Sequence, residues 1–149
     1  MKKLINTLQY IISTQGSTGK AWQLYRREFI QNGKDGVQSL WHKHRGELNF
    51  KRWKYENNKS ITIIATPHTI FIAELLSQAL DKAGLLYQVK IGTDFKSFDD
   101  SFHILVCPQA FKKLPESYIS FQMEQTVSDR WFGQEIMQKL KKSLLVMDY

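Results

Sequence analysis

The chain contains little cysteine and no long apolar run, and both absences narrow what it can be. Its 149 residues include one cysteine, Cys107, so neither an intramolecular disulfide nor a cysteine-based zinc site can form. We therefore expect a reducing compartment, the cytoplasm. No apolar stretch approaches the roughly 18 residues that a membrane-spanning helix needs. Hydrophobic residues still make up 42% of the chain, which is enough to form a core and excludes a wholly disordered protein.

The motifs of several common enzyme classes are also missing. No G-x-G-x-x-G follows the first predicted strand and no G-x-x-x-x-G-K-[ST] occurs, so the usual signatures of dinucleotide and P-loop phosphate binding are absent. Because there is no H-E-x-x-H or comparable ligand spacing, we expect no metal site and no bound cofactor. Cys107 ends an apolar strand and has no charged neighbour in the sequence, which favours a buried, inert thiol.

Residues 60–149 show a pattern of alternating strands and helices. Short apolar runs predict five strands, at residues 61–65, 85–91, 102–107, 118–123 and 144–147. Apolar spacing predicts a helix over residues 68–83, and Ser128 can cap another helix that runs to about Lys142. Strands joined by crossover helices predict an α/β fold: a Rossmann-like, mostly parallel sheet with helices on its faces.

Residues 1–59 are strongly basic and are predicted to be mainly helical. Residues 1–60 hold 12 Lys and Arg against 4 Asp and Glu, a net charge of +8, whereas residues 61–149 carry −1. Apolar spacing predicts three helices, one ending near Gly16, one over 20–31 and one over about 35–45. We therefore divide the chain into a basic helical leader, 1–59, and a Rossmann-like domain, 60–149.

Three explanations fit the basic leader. Aromatic and basic residues interleaved on helices are typical of a segment that lies on an anionic membrane surface. The residues that would do so are Trp22, Arg26, Arg27, Trp41, Lys51, Arg52 and Trp53. Nucleic acid is a weaker alternative, because no known nucleic-acid-binding motif is present. The third explanation is a solvated basic face whose aromatic residues pack on the core.

Polar residues follow four of the five predicted strands, and ligands of open α/β sheets bind outside the carboxyl ends of the strands. His68 comes just after the first strand, beside a helix start, where a neutral imidazole can act as a general base; its alternative role is to line that helix end. Glu124 follows the fourth strand and can orient His68 or bind a polar ligand, unless it is only a solvated loop carboxylate. The substrate-binding candidates at this edge are Thr66, Thr69, Gln109, Gln125, Thr126, Ser128, Asp148 and Tyr149.

Three short motifs resemble those of a known enzyme family. Thr66-Pro67-His68, the helix motif Ala-Glu-Leu-Leu-x-x-Ala-Leu-x-x-Ala-Gly and a Tyr-x-Val strand together resemble the first βαβ unit of GT-B glycosyltransferases. In that family the turn after the first strand often supplies the catalytic histidine. The run 118–125 and the ending Met147-Asp148-Tyr149 are similar to bacterial polysaccharide-type glycosyltransferases, whose corresponding strands end in Glu-Gln and in Trp-Asp-Tyr-Ser. Met147 stands where that pattern has tryptophan.

The resemblance implies the acceptor-side, N-terminal domain of a glycosyltransferase that acts on a cell-surface polysaccharide or glycan, with His68 and Glu124 as its catalytic residues. In GT-B enzymes a second Rossmann-like domain holds most of the nucleotide-sugar. The resemblance therefore implies a C-terminal donor-binding domain in the full protein and an isolated chain that is inactive. It also suits a peripheral enzyme at the inner face of the membrane. The alternative is a non-enzymatic, Rossmann-like binding or interaction module, which could bind a membrane surface or nucleic acid through the leader.

Overall fold

The computed structural model of the chain describes residues 2–55, 60–123 and 133–148. The helices are α1 (Lys2–Gln15), α2 (Thr18–Tyr55), α3 (Ile70–Lys82) and α4 (Gln134–Lys142), and the strands are β1 (Ser60–Ala65), β2 (Leu86–Ile91), β3 (Phe102–Val106), β4 (Tyr118–Gln122) and β5 (Val146–Asp148). The strands form one sheet in the order β2-β1-β3-β4-β5, and every neighbouring pair is parallel. The predicted α/β class with a parallel sheet is confirmed, and this architecture is compatible with a Rossmann-like fold.

The central strands β1 and β3 are buried on both faces, as their β-branched and apolar residues predict. On one face, Ile72 and Ala73 of α3 pack against Ile63 of β1 and Val106 of β3. On the other face, α4 covers the start of β4, where the hydroxyl of Tyr118 donates a hydrogen bond to the Lys139 carbonyl at 2.5 Å. The two crossover helices lie on opposite faces because the chain moves outward in opposite directions from the β1–β3 pair.

Helix α2 is interrupted at Gly33, whose φ of 64° and ψ of −154° are not helical. A positive φ of this kind costs little for glycine and turns the chain sharply. The halves before and after the break, residues 18–32 and 34–55, pack side by side, since the hydroxyl of Tyr25 lies 2.9 Å from Nδ1 of His44. We call them the first and second half of α2. Two of the predicted helices, 20–31 and 35–45, correspond to these halves, and the second half continues ten residues further than predicted.

The second half of α2 runs beneath the amino ends of four strands. The hydroxyl of Ser117, just before β4, donates to the Gly46 carbonyl at 3.0 Å, and Leu144, ahead of β5, lies against the same glycine. Further along the helix, the Trp53 ring packs on Phe102 at the start of β3, with ring centroids 5.3 Å apart. Its indole N–H donates to the Ser60 carbonyl at 2.8 Å.

These contacts follow the order of the strands, from β5 and β4 to β3 and β1, so the helix spans most of the sheet width. Residues 34–55 therefore pack against the described part of the predicted 60–149 domain. The sequence-based division at residue 59 is tested by the deletions in the Discussion, where these contacts lead us to expect that residues 60–149 do not fold alone.

Most predicted boundaries lie within about two residues of the observed ones. The exception is the helix predicted over about 35–45, which continues to Tyr55. The fifth strand begins at Val146 rather than Leu144; Leu144 lies against Gly46, and its backbone N–H donates to the Tyr118 carbonyl at 3.0 Å. The predicted start of the last helix near Ser128 lies outside the described residues. Within the described parts of the chain, no helix is long and apolar enough to cross a membrane.

Candidate functional site

The carboxyl edge of the sheet has a switch point between β1 and β3. From β1 the chain continues outward to β2, and from β3 it continues outward in the opposite direction to β4. The segments that leave the two strands therefore diverge, and ligands of sheets of this type bind at such a switch point. Both strands end in a proline-led 3₁₀ turn, Pro67–Thr69 after β1 and Pro108–Ala110 after β3. Proline fixes φ and cannot donate to the sheet, so each turn ends its strand at the switch point.

The turn after β1 is held by Thr66 and Thr69. The backbone N–H of Thr66 donates to the Thr69 hydroxyl at 3.1 Å, and the two hydroxyl oxygens are also 3.1 Å apart. Both threonines are buried, and their hydroxyls form hydrogen bonds within the turn, so they stabilise the turn rather than face a ligand. His68 lies between them in sequence and is exposed. The two threonines thus fix the backbone that presents the imidazole at the switch point.

The turn after β3 begins with a strained residue. Cys107 has a φ of 58° and a ψ of 68°, the left-handed region, and it is the one non-glycine residue with positive φ in the described part of the chain. This conformation costs roughly 1–2 kcal/mol for a residue with a Cβ. The side chain is buried in the apolar cluster beneath α3, which agrees with the buried thiol predicted from the sequence.

The strain at Cys107 turns the chain outward into the segment that carries Gln109. The side-chain carbonyl oxygen of Gln109 is buried, and it accepts no hydrogen bond from any described residue. Its β3 turn neighbours the β1 turn, and adjacent strands lie about 4.8 Å apart. Gln109 and His68 therefore lie on neighbouring turns at the carboxyl edge of the sheet.

Of the remaining predicted site residues, the structure describes one, Asp148, and five lie outside the described residues. Asp148 pairs in register with Gln122 at the exposed end of β5. It lies three strands from β1, about 14 Å across the sheet, so it borders the same edge but not the switch point. The predicted residues outside the described part of the chain are Glu124, Gln125, Thr126, Ser128 and Tyr149. The expected proximity of Glu124 to His68 stays a prediction.

The predicted membrane-surface residues are spread over different environments. Trp22 and Trp41 line one groove between α1 and the two halves of α2, together with Arg26. The other predicted residues lie elsewhere: Arg27 is exposed, Lys51 has its Nζ 5.5 Å from the ring centroid of Tyr10, Arg52 borders a polar cavity under the sheet, and Trp53 packs on Phe102. The structure thus brings three of the seven together.

A polar cluster that the sequence did not predict lies on the α4 face of β1, β2 and β3. Its centre is Asp99, whose carboxylate accepts hydrogen bonds from Lys90 at 2.7 Å and from Gln88 at 2.9 Å. Ser101 bonds to the same carboxylate, and Nε2 of the buried His103 lies 3.3 Å from it. The Asp99-x-Ser101 turn just before a strand is the sequence signal that points to this cluster.

The pKa shifts of Asp99 and His103 indicate that this cluster stabilises the fold rather than transfers protons. Burial lowers the pKa of His103, although the neighbouring Asp99 carboxylate acts in the opposite direction. Burial would raise the pKa of Asp99, but hydrogen bonds from Lys90 and Ser101 hold it well below its usual range. The cluster is therefore a neutral imidazole beside an ionised, well-partnered carboxylate, which fixes the 92–101 loop on the sheet.

The described residues contain no group of three or more His, Cys, Asp or Glu side chains that could hold a metal ion. No protein-family model, curated protein or solved structure matches the chain.

Proposed function

We propose that this chain is the acceptor-side domain of a GT-B-like glycosyltransferase that acts on a cell-surface polysaccharide or glycan. The observation that carries the proposal is the position of His68, exposed in the turn after β1 and beside the switch point of a parallel sheet. That is the place where the motif resemblance puts the catalytic histidine. Gln109, on the neighbouring turn, is half-buried and carries a side-chain amide, a group that can hydrogen-bond sugar hydroxyls.

The proposed chemistry gives each residue one task. His68 takes the proton of the attacking acceptor hydroxyl while that oxygen bonds to the anomeric carbon of the donor sugar. The bond from that carbon to the phosphate oxygen breaks, and the nucleoside diphosphate leaves. Glu124 orients the imidazole, and a second Rossmann-like domain of the full protein supplies most of the donor contacts. The isolated chain then binds a glycan but transfers no sugar.

An array of bacterial surface polysaccharides and their fragments, probed with the full chain, tests the acceptor assignment. We expect the chain to retain at least one glycan and His68→Ala to weaken that binding about tenfold or more, because His68 contacts the acceptor hydroxyl. Lys113→Ala, at an exposed residue away from the switch point, is the control and should bind as the wild type does. Binding that is identical in wild type and His68→Ala contradicts the site, and an array without binding contradicts the acceptor role.

Calorimetry with nucleotide-sugars tests the proposal that a second domain, and not this chain, binds the donor. We expect no heat of binding at micromolar concentrations of UDP-glucose or GDP-mannose, because the proposed donor domain is not part of this chain. Micromolar binding of either compound would contradict an acceptor-side assignment. The glycan array, rather than calorimetry, separates the enzyme from a non-enzymatic Rossmann-like module, because such a module would bind no glycan at this edge.

We propose in addition that α1 and the first half of α2 attach the protein reversibly to anionic membrane at its cytoplasmic face. Trp22, Phe29 and Ile30 leave 69%, 54% and 72% of their surface exposed, next to the basic side chains of Arg26 and Arg27. Exposed aromatic residues among cations are what an interfacial helix needs to bind anionic lipid.

Co-sedimentation with phosphatidylglycerol vesicles tests this attachment. We expect binding at low salt that weakens as salt rises, and no binding to pure phosphatidylcholine vesicles. A chain that ignores the anionic vesicles at low salt contradicts the attachment. Equal or tighter binding to single-stranded DNA would favour the nucleic-acid alternative instead.

A further inference from the structure

An apolar groove lies between α1 and the two halves of α2. It encloses about 810 Å³ and is open to solvent along one side. Leu8 comes from α1, Trp22 and Phe29 from the first half of α2, and Trp41 from the second half. Among the described residues that line the groove, Arg26 is the one with a permanent charge. The volume is in the range of pockets that bind small ligands.

A second, polar pocket of about 320 Å³ adjoins the groove, and His42 lines both of them. This pocket lies between the second half of α2, α4 and the segment 112–116. Three lysines line it, Lys112, Lys139 and Lys142. The apolar groove and the polar pocket therefore meet at His42.

The charges in the polar pocket do not balance. Its two carboxylates are already paired, Glu116 with Arg45 and Glu135 with Lys139 at 3.0 Å. Lys139 is also committed to the Phe111 carbonyl, to which it donates at 2.9 Å. Neither of the remaining lysines, Lys112 and Lys142, has an ion-pair partner among the residues that the structure describes.

The charges at this junction, together with burial, act on the pKa of His42. Burial lowers the pKa of His42 first of all, and the positive charges of Lys142 and Arg45 lower it further. Glu116 acts in the opposite direction, but its effect is smaller. Arg26 lines the groove together with His42.

An occupant of this surface has to be apolar along most of its length and anionic at one end. We propose that the groove and the pocket together bind one anionic lipid, with its hydrocarbon chain along Leu8, Trp22 and Trp41 and its phosphate group between Lys112 and Lys142. An acidic amphipathic helix fits less well, because it would need cations along the groove rather than near one end. The inference rests on the membrane attachment proposed above and adds a specific site to it. It does not depend on sugar transfer.

A lipid with both a hydrocarbon chain and a phosphate group would need both the apolar groove and the polar pocket for useful affinity. A single acyl chain gives only marginal membrane binding, so a second signal such as a cationic site is required for useful affinity. The groove supplies the first contact and the lysines supply the second. Binding of this kind depends less on the overall charge of the protein than on the two lysines at the junction.

Titration of the full chain with oleoyl lysophosphatidic acid, below the concentration at which it aggregates, tests the site. The matched probes are inorganic phosphate, which has the anion without the chain, and oleoyl lysophosphatidylcholine, which has the chain with a neutral head group. Tryptophan fluorescence reports the occupancy, since Trp22 and Trp41 line the groove. We expect the anionic lipid to bind at least about tenfold more tightly than either probe.

Two variants locate the site. Lys112→Glu/Lys142→Glu removes the cationic junction, and Lys82→Glu/Lys96→Glu makes the same charge change at exposed lysines that line neither the groove nor the pocket. We expect the first double variant to lower lipid affinity about tenfold or more and the second to change it less than about twofold, with unchanged circular dichroism in both. Trp22→Asp, at an exposed groove residue, should also abolish binding.

The possible failures are distinguishable. Equal loss in the two double variants, while anionic vesicles still bind, overturns the lipid site and leaves general membrane attachment standing. Inorganic phosphate binding as tightly as the lipid excludes a role for the groove. An acidic amphipathic peptide that binds more tightly than the lipid assigns the groove to a protein partner instead. If neither lipid nor anionic vesicle binds, both the site and the proposed attachment are wrong.

Discussion

The two halves of α2 are similar in composition but lie in different surroundings. Both interleave aromatic and basic residues, yet Trp22 in the first half leaves 69% of its surface exposed while Trp53 in the second half packs on Phe102. Ala21 is the one buried residue of the first half, whereas Gly36, Ser39, His44 and Gly46 are buried in the second. The difference teaches that a basic, aromatic helix is not by itself a surface-binding helix. Contact with the amino ends of the strands decides which half supports the fold.

Of the changes considered, deleting one or both halves of α2 should have the largest effect on stability, and it should distinguish the two halves. We expect removal of residues 1–55 to abolish cooperative unfolding, because it exposes Phe102 and leaves the hydroxyl of the buried Ser117 without its partner carbonyl. Removal of residues 1–33 should keep the helix beneath the sheet and thus a cooperative thermal transition in circular dichroism. A cooperative transition after the longer deletion would mean that residues 60–149 fold alone, and would contradict the supporting role of the second half.

Replacing one tryptophan in each half of α2 gives two matched variants that compare how much each half contributes to the free energy of unfolding. We expect Trp53→Ala to lower the free energy of unfolding by about 3 kcal/mol, because it loses the ring contact with Phe102 and the hydrogen bond to Ser60. Trp22→Ala should change it by less than about 0.5 kcal/mol, since the side chain is mostly exposed. Urea unfolding measures both values. Similar losses in the two variants would remove the distinction between the halves.

Glycine substitutions probe the same distinction through steric fit. A Cβ at Gly46 would lie 3.1 Å from the Glu116 carbonyl oxygen and 3.2 Å from Leu144, so we expect Gly46→Val to cost about 1–3 kcal/mol. At Gly19 in the first half, the nearest atom lies 4.0 Å from the added Cβ. Gly19→Ala should therefore leave stability unchanged or raise it by up to about 1 kcal/mol. A neutral Gly46→Val would indicate that α2 does not press on the sheet.

Stability should also depend on pH, because the folded chain lowers the pKa values of His42, His44 and His103. The unfolded chain binds protons more readily at these sites, so stability is full above about pH 7 and falls as the pH drops below the ordinary histidine value of about 6.5. The slope is at most about 1.4 kcal/mol per pH unit for each histidine.

His103→Gln tests the largest part of this effect, since His103 is the most buried of the three. We expect the variant to reduce the acid-induced loss of stability, measured by urea unfolding between pH 7 and pH 5. His68→Gln, at an exposed histidine, is the control and should keep the wild-type slope. An unchanged slope in His103→Gln would show that His103 does not account for the loss.

Much of the sheet could be predicted from the sequence, because runs such as 61–65 and 102–106 are apolar and β-branched and need burial on both faces. The position of His68 at the carboxyl edge followed from the same reasoning, since parallel strands share that edge, but the strand order that makes it a switch point came only from the structure. The support from α2 could not be predicted. Trp53 and Trp22 have the same local pattern, and only the contact with Phe102, some fifty residues away in sequence, separates them.

The polar cluster around Asp99 and the groove escaped prediction for the same reason. Asp99 meets Lys90 and His103 across three segments, and the groove forms only because Gly33 turns α2 back on itself. A periodic pattern marks the apolar face of a helix but does not state what packs on it. Long-range contacts carry that information.

Fluorescence quenching by brominated anionic lipid tests the division of α2 most directly. Two single-tryptophan variants are needed, one that keeps Trp22 and one that keeps Trp53, with the other tryptophans changed to phenylalanine and the fold checked by circular dichroism. The account predicts strong quenching of Trp22 in brominated phosphatidylglycerol vesicles and little quenching of Trp53, which faces the sheet. Equal quenching of both, or quenching of neither, would contradict it.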